Sequence, residues 1–400
     1  MSQQDNNTEP FSEQDHRGDA DLDKKPKNRR PANTAFRQQR LKAWQPILTP
    51  KSVLPLFFVV GVIFAPIGGL LLWASSTVQE LVIDYSDCKD VGSTVVAIPD
   101  DKFDYSFKSS FRERPTWQRP EDEGGNGVCR LMFDIPDTIG PPVFMYYRLT
   151  NFYQNHRRYV KSLDLDQLKG KAVDNGTIRN GACDPLRADE SGKAYYPCGL
   201  IANSMFNDTI DSPVFVNNPD GAEPYNMTKK GIAWDSDKEL IKKTEYQPGQ
   251  VVPPPNWRER YPDNYETDIP NLHEDEDFMV WMRTAALPTF SKLSRRNDTA
   301  SMSAGRYRLD IRDPFPVTVY GGTKSIVITT RTVLGGQNPF MGIAYVVVGG
   351  VCVLLGALFT IAHLVRPRKL GDHTYLTWNN EQEATATATG RDDRIGVHSR

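Results

Sequence analysis

Side chains that commonly catalyse reactions are few and scattered in this chain. Only two of its six histidines, His156 and His273, lie in the long polar stretch between residues 75 and 339. The sequence contains no HExxH pattern, no GxSxG pattern and no Walker loop. Gly321-Gly-Thr-Lys324 resembles a phosphate-binding loop only superficially, because its spacing is wrong and a strand-like sequence follows; we predict a turn there. The residues therefore give no support to a catalytic function.

Two short charged runs each have a binding interpretation and a simpler one. His156-Arg157-Arg158 has the charge to bind an anionic headgroup or a glycan, but such a cluster is also typical of a solvated helix face. Glu274 to Asp277 supplies carboxylates for weak calcium binding, or forms a solvated acidic loop. In both cases we favour the solvated surface.

Four of the five cysteines share the polar stretch, where they permit three disulfide pairings. Sequence proximity favours Cys183 with Cys198, which closes a loop of about 16 residues worth roughly 3 kcal/mol. This choice leaves Cys88 with Cys129. A metal site is the alternative, and it is disfavoured because no CxxC pattern or paired histidine accompanies the cysteines. Cys352 lies in a separate apolar stretch, where we predict a small packing residue.

Two uncharged apolar stretches bracket the polar region, from Val53 to Ala74 and from Phe340 to Val365. Each is longer than the roughly 20 residues that a helix needs to cross a bilayer. A buried core helix or, for the first stretch, a signal peptide would be the alternative. Position 53 lies too far from the N-terminus for a signal peptide, and buried core helices rarely stay uncharged for this length. We therefore predict two transmembrane helices.

Charged flanks and glycosylation sequons predict the orientation of these helices. Nine basic residues and no acidic ones lie between Lys24 and Lys51, and Arg366-Pro-Arg-Lys369 follows the second stretch. Basic flanks stay on the cytoplasmic side, so both termini are predicted to be cytosolic. The region between the spans then faces an oxidising compartment, which suits disulfides. Four sequons lie in that region and are predicted to be N-glycosylated: Asn175, Asn207, Asn226 and Asn297.

Composition limits the function further. The chain has 400 residues, a net charge of -2 and a mean hydropathy of -0.51, which is too polar for a channel or carrier built mainly of membrane helices. The near-zero net charge gives no sign of nucleic-acid binding. The predicted organisation is a disordered cytosolic tail (1–32), a basic interfacial segment (33–52), the first span (53–74), an exoplasmic or lumenal domain (75–339), the second span (340–365) and a cytosolic tail (366–400).

The region between the spans is predicted to be mainly β. Short alternating or β-branched runs bounded by Gly, Pro, Asn and Asp are typical of strands. They occupy Ser93–Ile98, Val128–Ile135, Val143–Leu149, Phe278–Met282, Arg306–Arg312, Val317–Tyr320 and Ser325–Val333. One or two helical turns are expected after Thr150. The Pro- and Gly-rich middle, about 170 to 275, is expected to form large loops on a sandwich rather than a second domain.

Small residues recur along one face of each predicted membrane helix. In the second span Gly342, Gly349 and Gly356 recur every seven residues, with Tyr345 and Cys352 three positions after the first two. Such a stripe lets another helix approach closely, so we predict that it packs against a partner helix. The first span offers Gly61, Ala65 and Gly69 at fourth positions. The stripes are equally compatible with the two spans packing against each other.

The segment just before the first span mixes aromatic and basic side chains. Thr34 to Trp44 contains Phe36, Arg40 and Trp44, a combination that suits a helix lying on the inner leaflet or against a partner. An unstructured basic linker is the alternative, and the residues do not decide between the two.

Long, ordered blocks of the sequence resemble the cell division control protein 50 / ligand-effect modulator 3 family. The blocks are NTAFRQQRLKAWQPILTP from Asn33, FAPIGGLLL in the first span, YYRLTNFYQNHRRYVKS from Tyr146, PCGLIANSMFNDT from Pro197, GIAWDSDK from Gly231, DFMVWMRTAALPTFSKL from Asp277, GGQNPFMGIAYVVVG from Gly335 and HLVRPRKLGDHTYLTWNN at the end of the second span. Only the two tails and parts of 90–125 and 210–260 lie outside them. Four cysteines between the spans are typical of a fungal-type member, since animal members carry an extra pair.

The resemblance implies a non-catalytic β-subunit of a type IV P-type ATPase, a lipid flippase. It implies an antiparallel β-sandwich with long insertions that covers the outer loops of the pump, with both spans beside it. It also implies a role in folding of the pump, in its exit from the endoplasmic reticulum and in its transport cycle. The complex then moves from the endoplasmic reticulum to the Golgi, an endosome or the plasma membrane. Phospholipids lie nearby, and no cofactor is expected in this chain, because ATP and magnesium belong to the partner.

Two other functions fit the topology. A two-span cell-surface receptor or adhesion glycoprotein would bind a soluble ligand and fold without a pump. A lumenal enzyme acting on glycans or lipids would need clustered acidic or nucleophilic groups.

Overall fold

The computed structural model describes residues 33–41, 48–122, 124–125, 127–216, 223–330 and 336–367. Within them the α-helices are α1 (Pro50–Ser76), α2 (Arg157–Lys161), α3 (Leu165–Leu168), α4 (Asn175–Asn180), α5 (Leu200–Asn203), α6 (Asp235–Leu240), α7 (Glu276–Met282) and α8 (Phe340–Val365). Short 3-10 helices span Ser86–Asp90, Asp100–Lys102, Pro255–Trp257 and Thr318–Tyr320. The strands are β1 (Glu80–Asp84), β2 (Val96–Ala97), β3 (Phe103–Ser106), β4 (Thr116–Gln118), β5 (Cys129–Ile135), β6 (Val143–Leu149), β7 (Thr209–Ile210), β8 (Val214–Phe215), β9 (Glu223–Pro224), β10 (Phe290–Asn297), β11 (Gly305–Arg312) and β12 (Lys324–Thr330).

The two apolar stretches each form one continuous helix. α1 has 27 residues and α8 has 26, and both reach a mean hydropathy of 2.4. Both are long enough to cross a bilayer. Most of their large apolar side chains are exposed rather than buried in a protein core, as expected for surfaces that contact lipid or another membrane protein. The chain is therefore a membrane protein with two candidate spans.

Between the helices lies a sandwich of two antiparallel sheets. One sheet has the strand order β10-β6-β12-β1-β3, and the other has the order β2-β4-β5-β11-β8-β9, with β7 also paired to β11. Side chains from both sheets contribute to a single hydrophobic core, which includes Leu81, Met145 and Ile328 from the first sheet and Phe133 and Leu309 from the second. The prediction of a mainly β domain with an antiparallel sandwich is confirmed.

Most predicted strands are present with nearly the predicted bounds. Val143–Leu149 is β6, and the runs at Val128–Ile135 and Arg306–Arg312 are β5 and β11. The run from Ser325 is β12, and its predicted last residues, 331–333, lie outside the described residues. Only Val96–Ala97 of the run Ser93–Ile98 is a strand. The helical turn expected after Thr150 is α2.

Two predicted strands are wrong. Phe278–Met282 belongs to helix α7, because Asp275 caps the helix by accepting a 2.9 Å hydrogen bond from the Phe278 amide. Four consecutive side chains of α7, from Phe278 to Trp281, are buried, so its apolar run reflects burial on all sides rather than a strand. Val317–Tyr320 is also not a strand. It contains a 3-10 turn that ends at Gly321, whose φ of 62° favours glycine.

The Pro- and Gly-rich middle contains a hydrophobic cluster of its own. This cluster is formed by segments 164–204 and 233–282, hereafter the loop lobe, and includes Ile178, Tyr196, Trp257, Tyr265 and Phe278. The lobe and the sandwich belong to one compact unit, Leu54–Pro367, as expected for insertions on a sandwich rather than a second domain.

Candidate partner-binding helix pair and ectodomain

The glycine stripe of α8 faces α1. A Cβ atom added to Gly349 would lie 3.0 Å from the backbone nitrogen of Ala65, and one on Gly342 would lie 2.7 Å from Leu72. A Cβ on Gly356 would approach Phe57 and Phe58 at 3.2 to 3.3 Å. All three glycines are buried. The absence of side chains at these positions lets the two helices touch.

Helix α1 supplies small residues that complement the stripe. Gly61 lies against Val353 and the Gly349 carbonyl, and Gly68 lies against Val346. Gly69 was expected on this face, but a Cβ there would meet nothing within 4 Å. Gly68 takes its place because seven residues complete nearly two helical turns, which brings Gly61 and Gly68 onto one face.

Tyr345 and Cys352 of the predicted stripe are half-buried. The Tyr345 ring lies 5.0 Å from the ring of Phe64 in α1. In this structure α1 therefore makes the contact that we predicted for a partner helix. This is the alternative in which the two spans pack against each other. Gly342, Gly349 and Gly356 hold the helix pair together, and a partner helix must use another face.

The opposite faces of both helices remain open. Exposed apolar side chains lie around much of α8, and one set of them recurs three to four residues apart along a single face: Phe340, Ile343, Val347, Val351, Leu354, Leu358, Ile361 and Val365. A shallow groove of about 430 Å³ lies between these side chains and the seam of the helix pair, since Ala65 and Gly349 of the seam line it together with Gly350 and Ala357. A Cβ on Gly350 would meet nothing within 4 Å, so this second small-residue position is accessible from outside the pair.

The sandwich is tied directly to the helix pair. The Ser75 side chain at the end of α1 accepts a 3.0 Å hydrogen bond from the Asn338 amide just before α8. Gln79 and Thr330 exchange backbone and side-chain hydrogen bonds, and they lie beside the pair β1–β12. Consequently the two spans enter the ectodomain side by side, through neighbouring strands of one sheet.

Both predicted disulfides are present. Cys88 is bonded to Cys129 and links the 3-10 turn after β1 to β5, which joins the two sheets. Cys183 is bonded to Cys198 within the loop lobe. Cys352 is a free thiol.

The four sequons lie at the surface of the ectodomain. Asn175, Asn207 and Asn226 are exposed, and Asn297 is half-buried. Asn207 directly precedes a buried acid, Asp208, which places this sequon at the edge of the sandwich core.

A buried charged cluster, which the sequence did not predict, lies under Asn207. The fully buried ammonium of Lys324 contacts Asp208 at 2.9 Å and Asp313 at 3.6 Å. Asp208 also accepts hydrogen bonds from the Tyr85 hydroxyl and the Phe315 amide. Burial raises the pKa of Asp208 and lowers that of Lys324, while their mutual contact opposes both shifts. The cluster fixes β12 against two loops; a lysine at the start of an otherwise apolar strand was its only sequence signal.

Both charged runs were predicted to be solvated surface, and this prediction is confirmed for the first run and wrong for the second. His156, Arg157 and Arg158 are exposed at the start of α2, as expected for a solvated helix face. The acidic run is not a solvated loop, because Asp275 caps α7 and Asp277 pairs with Lys229 at 2.6 Å.

Glu276 of the acidic run also forms an ion pair, with Lys238 at 2.9 Å. Among the described residues no group of three or more His, Cys, Asp or Glu is arranged to hold a metal ion.

The segment before the first span is described only in part. Residues 35–39 form turns rather than a continuous helix, and the Arg40 guanidinium donates to the Asn33 side chain. Phe36 is 77% exposed. Trp44 lies outside the described residues, so its predicted contact with the inner leaflet or a partner stays a prediction.

Comparison with known proteins agrees with this architecture. Residues 71–369 match the LEM3 (ligand-effect modulator 3) family / CDC50 family. The chain is 48% identical to the phospholipid-transporting ATPase accessory subunit CRF1 of Saccharomyces cerevisiae, over 88% of this chain and 90% of that protein. It is 44% identical to the accessory subunit CDC50 of Chaetomium thermophilum, over 91% and 94% of the two chains. It is 41% identical to cell cycle control protein 50A of mouse, over 85% and 91%. The family match covers the end of the first span, the sandwich and the second span, and the relatives align with most of the chain. The chain therefore belongs to the ligand-effect modulator 3 / CDC50 family.

Proposed function

We propose that this protein is the non-catalytic accessory subunit of a phospholipid-transporting P-type ATPase. The observation that carries the proposal is the near full-length similarity to relatives named as accessory subunits of such ATPases. The fold is compatible with that function, since a helix pair with open apolar faces carries a large rigid ectodomain. ATP and magnesium would be bound by the partner, which would also perform the transport step.

The open face of α8 is the best candidate for contact with a membrane helix of the ATPase. Its exposed side chains form a continuous apolar strip, and Gly350 and Ala357 leave room for close approach. The sandwich would then cover the short outer loops of the pump. Phe36, Arg40 and Trp44 would contact the inner leaflet or the cytosolic side of the partner.

The orientation completes the proposal. Both termini would be cytosolic, and Asn175, Asn207, Asn226 and Asn297 would carry N-linked glycans on the lumenal or outer side. The location would follow the partner, from the endoplasmic reticulum to the Golgi, an endosome or the plasma membrane. Protease added to intact microsomes should digest the termini and spare the ectodomain; the reverse pattern would exclude this topology.

The decisive experiment removes the chain from cells that express a candidate ATPase. We expect the ATPase to be retained in the endoplasmic reticulum and the uptake of fluorescent phospholipid to fall, both restored by the wild-type chain. The ATPase should also co-purify with the chain in mild detergent. Normal exit of every candidate ATPase and unchanged lipid uptake would refute the accessory function.

Three glycine variants separate partner contact from helix pairing. Gly350→Leu should reduce co-purification of the ATPase because it fills the open groove, while the ectodomain stays folded. Gly349→Leu should instead separate α1 from α8, because its side chain would collide with the Ala65 backbone. Gly69→Leu is the matched control, since that position also has open space around it. Equal co-purification by Gly350→Leu and Gly69→Leu would place the partner on another face.

A further inference from the structure

A cleft of about 500 Å³ lies where α1 enters the ectodomain. It is lined by Trp73, Ser76, Thr77, Gln79, Lys108, Asp137 and Thr138. The apolar part of α1 ends at Ala74, so the cleft lies at the depth of the lipid headgroups. Trp73, whose side chain is 67% exposed, is the type of residue that concentrates at this boundary.

The cleft presents one anion whose geometry is fixed. Both carboxylate oxygens of Asp137 accept hydrogen bonds from Ser109, at 2.9 Å from its amide and 2.7 Å from its hydroxyl. The hydrogen bonds from Ser109 favour the ionised form and lower the pKa of Asp137. Because Ser109 fixes the carboxylate, its remaining lone pairs can receive a donor from the cleft.

The same cleft presents one cation. The Lys108 side chain is exposed and forms no ion pair with any other residue that the structure describes. Lys108 and Asp137 line the same cleft, and Ser109, which directly follows Lys108, donates both hydrogen bonds to the Asp137 carboxylate. The hydroxyl of Ser76, at the end of α1, lies on the same cleft.

This combination fits a ligand that carries both a phosphate and an amine. The ammonium of Lys108 matches the phosphate, and the carboxylate of Asp137 matches the amine. Directly beside the cleft, the exposed side chains of Leu70 and Trp73 offer an apolar surface that suits acyl chains. A soluble phosphate ester would not use that surface, so the position of the cleft favours a membrane lipid.

We propose that this cleft binds the headgroup of one phospholipid that bears an amine. Lys108 binds the phosphate, Asp137 binds the amine, and Trp73 lies along the glycerol and upper acyl chains. The proposal requires only that α1 spans the membrane. Its failure would leave the accessory function intact, and the loss of the accessory function would leave this site testable on the chain alone.

The test measures lipid retained by the purified full-length chain, using native mass spectrometry after incorporation into lipid nanodiscs. Phosphatidylethanolamine and phosphatidylglycerol share the phosphate and differ in the amine. We expect one phosphatidylethanolamine per chain to be retained preferentially. Lys108→Ala should weaken retention of both lipids by about tenfold, as expected for the loss of one charge-assisted contact. Asp137→Asn should weaken phosphatidylethanolamine alone by a similar factor.

Two controls keep the result interpretable. Lys89→Ala removes an exposed lysine near the opposite end of β1 and should leave retention unchanged. Lys108→Glu reverses the charge without touching the hydrogen bonds of Ser109, so it tests the site even if Asp137→Asn unfolds the loop. Equal retention of the two lipids by the wild type would overturn the proposal. Binding of soluble glycerophosphoethanolamine as tightly as the lipid would also overturn it, because the apolar surface at Leu70 and Trp73 would then contribute nothing and the site would recognise a free phosphate ester.

Discussion

In the sandwich, continuous backbone ladders join β5 to β11 and β6 to β12. The longest helix of the loop lobe, by contrast, has only seven residues. Helices this short are unstable in isolation, so the lobe must be held by its side chains. The buried amide of Gln167 shows how: it donates to the Tyr195 carbonyl and the Tyr246 hydroxyl and accepts from the Cys198 amide. Both regions have a hydrophobic core, but the sandwich adds continuous backbone ladders, whereas the lobe adds specific side-chain hydrogen bonds.

A second contrast lies within the sandwich, between two buried lysines of the same sheet. Lys324 in the sandwich faces two carboxylates. Lys292 on β10 forms no ion pair with a carboxylate in the part of the chain that the structure describes. Its ammonium donates instead to the carbonyls of Val280, Trp281 and Arg283 at the end of α7, in the loop lobe. Carbonyls satisfy hydrogen bonds but do not neutralise a charge. The two lysines should therefore respond differently to replacement and to pH, and the two regions should respond differently to loss of their disulfides.

The largest effect is expected for Lys324→Met in the sandwich. The change leaves Asp208 buried without its cation, while Asp313 keeps its ion pair with Arg119 at 2.9 Å. The loss of the Lys324–Asp208 pair should cost about 3–5 kcal/mol in the free energy of unfolding. Lys102→Met is the matched control, because Lys102 pairs with a half-exposed acid, Asp87, and should cost less than about 1 kcal/mol. Thermal unfolding of the purified full-length chain measures both. Equal losses would mean that the buried cluster adds nothing to the sandwich.

The second effect distinguishes the regions by their disulfides. Replacing Cys183 and Cys198 by serine removes a loop closure of 15 residues, worth about 3 kcal/mol in the chain-entropy model. Because the lobe has no backbone ladder, we expect limited proteolysis to cut it first and leave the sandwich intact. Replacing Cys88 and Cys129 should destabilise the whole ectodomain. Simultaneous cleavage of both regions in the lobe variant would contradict the comparison.

Sequence patterns predict the sandwich better than the lobe, for physical reasons. Strand β11 alternates buried and half-exposed side chains from Arg306 onward, and that period is visible in the sequence. The pair of Lys324 and Asp208 joins residues 116 positions apart, so no local window could reveal it. Helix α7 was mistaken for a strand because a helix buried on all sides has no period. The capping residue Asp275 and the two acids after it were the signal that could have identified it.

The sequence also predicted part of the candidate site on the membrane helices. The seven-residue spacing of Gly342, Gly349 and Gly356 correctly marks a face of close approach. The spacing does not tell which helix approaches, because α1 carries its own pair of small residues seven positions apart, Gly61 and Gly68. The sequence alone could not choose between this helix and a partner.

A third, smaller effect is a pH dependence that Lys292 gives to the contact between sandwich and lobe. Burial, aided by the charge of Arg283, lowers the pKa of Lys292 from 10.5 to about 7. The unfolded chain therefore binds more protons than the folded chain between about pH 7 and 10.5, and the free energy of unfolding rises with pH across that window. Relative to Lys292→Met, the wild type should gain about 2 kcal/mol between pH 7 and pH 9. Chemical unfolding curves of both proteins at the two pH values measure this difference. A constant difference would mean that the three carbonyls hold the ammonium charged in the folded protein.

The smallest effect tests why α7 is a helix at all. Asp275→Ala removes the side chain that accepts from the Phe278 amide and should destabilise the lobe by about 1 kcal/mol. Asp275→Asn is the matched control, since asparagine caps helices equally well, and it should keep most of the stability. If both variants lose the same amount, the charge of Asp275 matters rather than its hydrogen bond. If neither loses stability, burial of Phe278 to Trp281 alone holds the helix, and the lobe depends less on single side chains than its short helices indicate. Protease sensitivity of the lobe, compared with that of the sandwich in the same sample, distinguishes these outcomes.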